Sequence, residues 1–591
     1  MLTFTGGLKV RNALLAALLA LVILVSGCLG ATSQTSTASS GSLTTGTPTE
    51  SQDFSIIYPE NPIIENLSVD ESGPLLENIY SPTAVQWGNL TIEYDGSRIR
   101  GRYDFLLSNL SENAISLALT GVPDDPDVLR LNLTIEGVPV DLSRLSGGRI
   151  FFEEALGRPI TRSYLTVYEI RFNSSRKNLR GEITYSLRYP VFLDIPEQYA
   201  GSPLTWWEMG AEPVGLNMTY SLPEGYTLVV PGFGAFNGSG TLNGEKLLPL
   251  LFGSFINDGP VVVKNVPAAG INVTVYIPRK QYNPLHWADL ERIVKLSVET
   301  YVNTTGLRPF SDIHLVVNPD FTGSFMIDGT NSAVIGERRG IELIVRKRTG
   351  SIPHELAHIW FAGYADFKYF NEGFATYMQS LALKRIVPAR FNAYLELNEK
   401  SIVEYGRSIS IHDAMSENLL DLRKLNVSTV LYTKGAFTLR SLQFVLGDET
   451  FYRGLHEALV RCHGAECGLA DVEGIFEDVS GEDLDWFFGE WFNSTLLPDY
   501  TVENLTVTNE GDGYRLRFRL VDRSNFTMPV QVRVVTEDAK FVDTTVVVEN
   551  GLGSVNMTLE AKPTMIVIDP GEWMANINRK FEVEGIKVEV D

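Results

Sequence analysis

The chain has 591 residues, too many for one hydrophobic core, so three or four domains are expected. Its composition, 44% hydrophobic and 20% charged, is that of a globular protein and excludes a disordered or fibrous chain. A net charge of −23 gives a surface that repels phosphate backbones, which argues against nucleic acid as a partner.

Lys9 and Arg11 precede an apolar run, Ala13 to Val25, that is short for a bilayer span and suits the core of a signal peptide. The run leads into Val-Ser-Gly-Cys, an ending that resembles a lipoprotein signal, in which Cys28 is lipidated and becomes the new N-terminus. The alternative is an uncleaved membrane anchor with an incidental cysteine. Both readings make residues 1–28 a membrane-targeting segment and put the remainder at the extracellular face of the cell membrane. A single lipid chain binds only marginally, so firm anchoring needs a second chain or the retained helix. Residues 29–54 are dominated by Ser, Thr, Gly and Ala; they cannot bury a core and are expected to form a stalk.

From 55 to 280 the pattern is alternating and β-branched, as in Arg130–Leu142 and Tyr164–Phe172, with Gly, Pro, Asn and Asp at the turns. A large N-terminal β domain is expected there. Helical periodicity takes over across 281–496. Strands return over 497–591, enough for a β-sandwich. The expected fold class is therefore multidomain α+β. Fourteen Asn-x-Ser/Thr sequons, among them Asn66, Asn132, Asn303 and Asn556, exceed the roughly four or five that chance pairing would give, which points to an exported glycoprotein. With Cys28 set aside, Cys462 and Cys467 either close a small disulfide loop in an oxidising space or stay as two buried thiols.

The segment Ser-Ile-Pro-His-Glu-Leu-Ala-His, 351–358, carries two of the chain's seven histidines. Residues four apart share a helix face, so His354 and His358 can point at one ion. Pro353 suits the first turn of that helix. Glu355, beside a ligand, can reach a metal-bound water as general base. The alternative is a pair of core histidines. Catalytic zinc wants a third protein ligand and an open fourth position. Glu372, in Tyr-Phe-Asn-Glu-Gly-Phe-Ala-Thr-Tyr, opens a helix-like run; an acid there is either that ligand or a favourable charge at the helix dipole.

Taken together, HELAHIWF followed by NEGFATY resembles the gluzincin aminopeptidases, the family of aminopeptidase N. The resemblance implies one zinc ion per chain, held by His354, His358 and Glu372, with Glu355 as the base. Val430-Leu-Tyr-Thr-Lys-Gly resembles the family's Tyr-Glu-Lys-Gly segment and implies that Tyr432 stabilises the oxyanion. The segments around 448–492, 497–507 and 566–577 resemble the family's helical part and following β-sandwich. The implied layout is a saddle-like N-terminal domain, a thermolysin-like catalytic domain with a helical subdomain, and the C-terminal sandwich.

Two departures stand out. Thirteen residues separate His358 from Glu372, where the family pattern has eighteen. The family also carries Gly-Ala-Met-Glu-Asn upstream, whose Glu binds the free α-amine of the substrate. Here Met326 aligns, but Ile327 stands in place of that Glu, followed by Asp328. Either Asp328, with Met326, forms the substrate-binding segment through a shifted backbone, or the amine anchor is missing. The expected activity is a cell-surface zinc aminopeptidase acting on peptide or protein substrates. The alternatives are an endopeptidase that accepts blocked N-termini and a surface lipoprotein that binds peptides or glycans without cutting them. Trp206, Trp207, His412, His456, His463, Glu337, Arg338 and Arg339 receive no role.

Overall fold

The computed structural model describes residues 54–67, 84–120, 127–151, 164–189, 204, 207–321, 323–327, 329–337, 339–347, 349–415, 425–578 and 582–586. The signal, the stalk as far as residue 53, Trp206, Asp328 and Arg338 lie outside the described residues.

The N-terminal domain is built from alternating strands. Val85–Tyr94 buries Gln86, Leu90, Ile92 and Tyr94 and turns Trp87, Asn89, Thr91 and Glu93 outward, the period-two pattern of a half-buried strand. It pairs antiparallel with Arg98–Ser108 and parallel with Glu212–Ser221 inside a seven-stranded sheet. A second sheet is centred on Tyr164–Asn173, flanked by Ala114–Thr120. Leu90, Ile92, Tyr103 and Ile183 from the first sheet meet Leu117, Ile170 and Phe172 from the second in one core.

The next unit opens with a sheet rather than a helix. Val261–Ala268 pairs with Ile271–Pro278, which runs parallel to Asp312–Asn318. The order continues through Ser332–Gly336 to an outer antiparallel strand, Ser324–Ile327. Residues 261–278 therefore belong to the sheet of this second unit, and the boundary expected at 280/281 falls before Val261. Alternation alone reads the same in either sheet; strand pairing over tens of residues decides the assignment.

The helix Pro284–Thr305 crosses this sheet. Asn283 caps it by accepting from Leu285 N at 3.0 Å, Pro284 supplies the pre-set first turn, and Gly306 ends it in the left-handed conformation at φ 65°. Its buried Ser297, Thr300 and Thr305 hydroxyls donate to carbonyls four residues back, so they sit in the core satisfied. Tyr301 reaches out of it, donating to Pro353 O at 2.6 Å and packing edge-on against Trp360, which fixes the segment that carries the two histidines.

Helices from Asn371 to Trp491 complete the unit. The C-terminal domain is a sandwich of a three-stranded sheet (Tyr500–Asn509, Tyr514–Asp522, Leu552–Leu559) and a four-stranded sheet centred on Met528–Thr536. One core runs from Val266 through the helices into Val530, Val532 and Ile566 of the sandwich. The junction is held by Arg440, which donates to the carbonyls of Gly571 and Glu572 and lies over the Trp573 ring.

Candidate active site

The first ligand helix is short, Ser351–Ala357, and fully lodged in the core. His354 and His358 are one turn apart, His358 N donating to His354 O at 3.3 Å, so both rings leave the same face. Their Nε2 atoms stand 3.1 Å apart. The second ligand helix, Asn371–Ile386, presents Glu372 in its first turn, and Glu372 Oε2 lies 3.1 Å from each Nε2. All three residues are buried.

The three donor atoms thus form a triangle of 3.1 Å sides. Tetrahedral ligands about 2.0–2.1 Å from a zinc ion lie roughly 3.3–3.4 Å from one another, so the triangle fits such an ion with little adjustment. The outer ring nitrogens support the same reading. His354 Nδ1 meets Gln379 Oε1 at 3.2 Å, and His358 Nδ1 meets Phe361 O at 3.3 Å. Both partners are acceptors, so each imidazole carries its proton on Nδ1 and turns the Nε2 lone pair inward, the tautomer a metal ligand needs. Burial alone would raise the Glu372 carboxyl, but without a metal, protons on the facing His358 and His354 hold it well below the usual carboxylate range; a cation in the triangle would take the place of those protons and leave both rings neutral.

Glu355 lies between the two histidines in sequence, is fully buried, and its charge is felt at His358. Tyr432 stacks on His354, with ring centroids 5.6 Å apart and planes 13° from parallel. It sits in a π-helical segment, Thr429–Lys434, that interrupts the helix running on through Gly435–Leu446. Such insertions often re-aim a side chain at a functional site. Gly373 and Gly435 let the Glu372 and Tyr432 segments touch. A Cβ on Gly373 would lie 2.8 Å from Phe370 Cε2 and 3.2 Å from Leu431 O, and one on Gly435 would lie 3.2 Å from the Gly373 Cα. Lys434, buried and donating to Ser494 O at 3.0 Å, ties the π turn to the end of the helical subdomain; burial pushes its amine down to about 8.

The structure brings His354, His358, Glu372, Glu355 and Tyr432 to one place. Cys462 and Cys467 form a disulfide. The substrate-binding segment is a different matter. Met326 is on the outer strand that packs against the first ligand helix, but its side chain is only 3% exposed and belongs to the main core. Ile327 is equally buried and points the other way, into the N-terminal core. Gln379 went unnoticed in the sequence, although it stands seven residues after Glu372, two helical turns along the same face. Gly350 makes room for it: a Cβ there would fall 2.6 Å from Gln379 Nε2.

Residues 326–491 match the peptidase family M1 domain. Leucyl aminopeptidase of Saccharolobus solfataricus is 24% identical over 245 residues, 38% of this chain and 31% of that one. Aminopeptidase N of Streptomyces lividans is 28% identical over 29% of this chain and 21% of its own length. Human endoplasmic reticulum aminopeptidase 2 is 29% identical over 32% and 21% respectively. The match thus spans about a third or less of these relatives' lengths. The crystal structure of Legionella pneumophila aminopeptidase A in complex with aspartic acid shares the fold, with a TM-score of 0.54 at 13% identity, over 84% of this chain and 59% of that one. The matched domain and the His-Glu-x-x-His site with its downstream Glu372 make residues 326–491 similar to the peptidase family M1 domain, in a chain whose fold is shared with the Legionella structure.

Proposed function

We propose that the chain is a zinc-dependent peptidase displayed at the cell surface, and an aminopeptidase in specificity. The observation that carries this reading is the triangle of His354, His358 and Glu372 with Glu355 and Tyr432 beside it. A binder that only captured a ligand would have no use for a buried base next to the metal site. A zinc ion bound there supplies Lewis acidity, polarising a carbonyl and acidifying water. Glu355 takes the proton of the attacking water and passes it to the leaving amine. The Tyr432 hydroxyl donates to the carbonyl oxygen as charge builds on it, a contribution of about 3–4 kcal/mol in comparable sites. Its ring is held by the stack on His354, so the hydroxyl needs little reorganisation. Removing zinc with a chelator should abolish peptide hydrolysis and adding it back should restore it; hydrolysis indifferent to metal would refute the assignment.

A second reading has one observation in its favour. Ile327, at the position of the amine-binding Glu, is an apolar side chain buried in the N-terminal core and cannot hold an ammonium group. An endopeptidase on the same frame follows if no other carboxylate replaces that Glu.

The location is argued from the signal ending at Cys28. Two further facts support export: thirteen of the fourteen sequon asparagines are exposed, with Asn426 half-buried, and the one described cysteine pair is oxidised. No helix among the described residues is long and apolar enough to cross a membrane. Replacing Cys28 by Ala should release the protein from membranes, and an endoglycosidase should lower the mass of the native protein.

A further inference from the structure

The linker between the two ligand helices is short, and it must deliver Glu372 to within 3.1 Å of both histidines. Asp366 organises it. Its Oδ1 accepts from Lys368 N at 2.8 Å and from Asn371 Nδ2 at 2.9 Å, and Asn371 Oδ1 accepts from Phe367 N at 2.8 Å. Asn371 is the residue before Glu372. Lys368 is held in the left-handed region at φ 54°, a conformation its side chain disfavours and these bonds maintain.

The other side of the linker rests on the loop closed by the Cys462–Cys467 disulfide. Cys467 N donates to Asp366 O at 2.9 Å. Ala365 pairs with His463 and Asp366 with Glu466 as isolated β-bridges. The His463 ring lies flat on Tyr364, centroids 3.9 Å apart and planes within 7°, while its Nδ1 donates to Tyr364 O at 2.8 Å. Glu466 pairs with Lys368 Nζ at 2.8 Å. A disulfide stapling the two helices Asp448–Arg461 and Leu469–Ser480 would need none of these contacts with residues a hundred positions away.

We infer that the Cys462–Cys467 loop is a clamp that positions Glu372 through Asp366 and Asn371, so that metal retention depends on this disulfide. The oxidised loop presents Cys467 N, His463 and Glu466 in one register. Reduction by a dithiol breaks the S–S bond: two electrons and two protons pass to the cysteines, giving two thiols, while the dithiol closes to its own disulfide. The freed loop then gains conformers in which the contacts with 364–368 are not made. Cys462, Cys467 and Asp366 are positioning residues; none is placed at the reacting atoms.

The inference rests on the zinc-peptidase reading, and the test separates the two. Full-length zinc-loaded protein is compared as wild type, as Cys462→Ser/Cys467→Ser, and as Asp366→Ala, which leaves the disulfide intact. Measured are the rate of zinc loss to excess chelator well below the unfolding temperature, hydrogen exchange of amides 364–372 in metal-free protein, and kcat and KM. Both variants are expected to lose zinc at least tenfold faster and to exchange faster at 364–372, with kcat lowered and KM within about twofold. A folded double-serine variant that is less heat-stable but loses zinc and exchanges at 364–372 like wild type would overturn the clamp. If that variant does not fold, wild-type behaviour of Asp366→Ala would overturn it equally. Wild type that holds zinc but cuts no peptide would defeat the peptidase reading alone, because zinc loss and exchange still judge the clamp.

Discussion

Gln379 offers the sharpest test of how the site is held. Its Oε1 is the partner of His354 Nδ1, at 3.2 Å; His354 is buried and Gln379 half-buried. Replacing Gln379 by Met keeps the length and most of the volume and removes the acceptor. A buried N–H left without an acceptor costs about 1–3 kcal/mol. Losing the outer partner of a metal-ligating histidine typically weakens binding 10–100-fold, about 1.4–2.7 kcal/mol, so two independent routes give the same size. The assay is equilibrium competition for zinc against a fluorescent chelator at fixed pH. The Met variant should bind zinc 10–100-fold more weakly and recover activity at saturating zinc. Gln379→Glu keeps an acceptor at that place and should stay close to wild type. A Met variant that binds zinc like wild type, or a Glu variant as weak as the Met one, would refute the reasoning.

Glu355→Gln should retain one zinc per chain, by elemental analysis, and lose turnover; a fully active variant would remove Glu355 from the base role. His358→Ala should lose both metal and activity, and a stoichiometric zinc content in it would show the ligand set to be wrong. Tyr432→Phe should lower kcat by about 10²–10³ with KM little changed, measured on one peptide under saturating zinc. At the junction with the C-terminal sandwich, burial pushes the Asp569 carboxyl up to about 6 from its ordinary 3.8, against the pull of the Trp573 and Met574 amides and of Arg440. A carboxyl whose folded pKa is raised contributes stability that is fully present below about pH 3.8 and is lost as pH rises through about 6, on the order of 3 kcal/mol by pH 7. The stability difference between wild type and Asp569→Asn, from denaturant titrations, should therefore shift against wild type between pH 4 and 7; a difference that stays flat would contradict the burial argument.

The part of the site that obeys a local period was legible in the sequence. His354 and His358 are four apart on a helix, Glu355 sits next to a ligand, and Glu372 opens the next helix, so their types and spacing already describe the triangle. The two β domains were legible from strand alternation such as that of Val85–Tyr94. What depends on distant pairing was not. Strands 261–278 look like those before them, and only the parallel pairing of Ile271–Pro278 with Asp312–Asn318 assigns them to the catalytic sheet. The π turn that carries Tyr432 has no period of its own. The orienting bond to Phe361 O comes from a backbone carbonyl, which no side-chain pattern encodes. His463 stood alone in the sequence because its partner, Tyr364, is ninety-nine positions away. That Ile327 is apolar is plain from the sequence, but that its side chain is buried in the N-terminal core had to come from packing.

The most direct test of the central claim uses zinc-loaded protein and a matched pair of peptides, one with a free N-terminus and one N-acetylated, with products read by mass spectrometry. An aminopeptidase releases single residues from the free peptide and leaves the acetylated one whole, and that is the predicted result. Internal cuts in both would keep the peptidase and overturn the amine-anchored specificity. An intact pair of peptides, with zinc bound and Glu355 in place, would contradict the account.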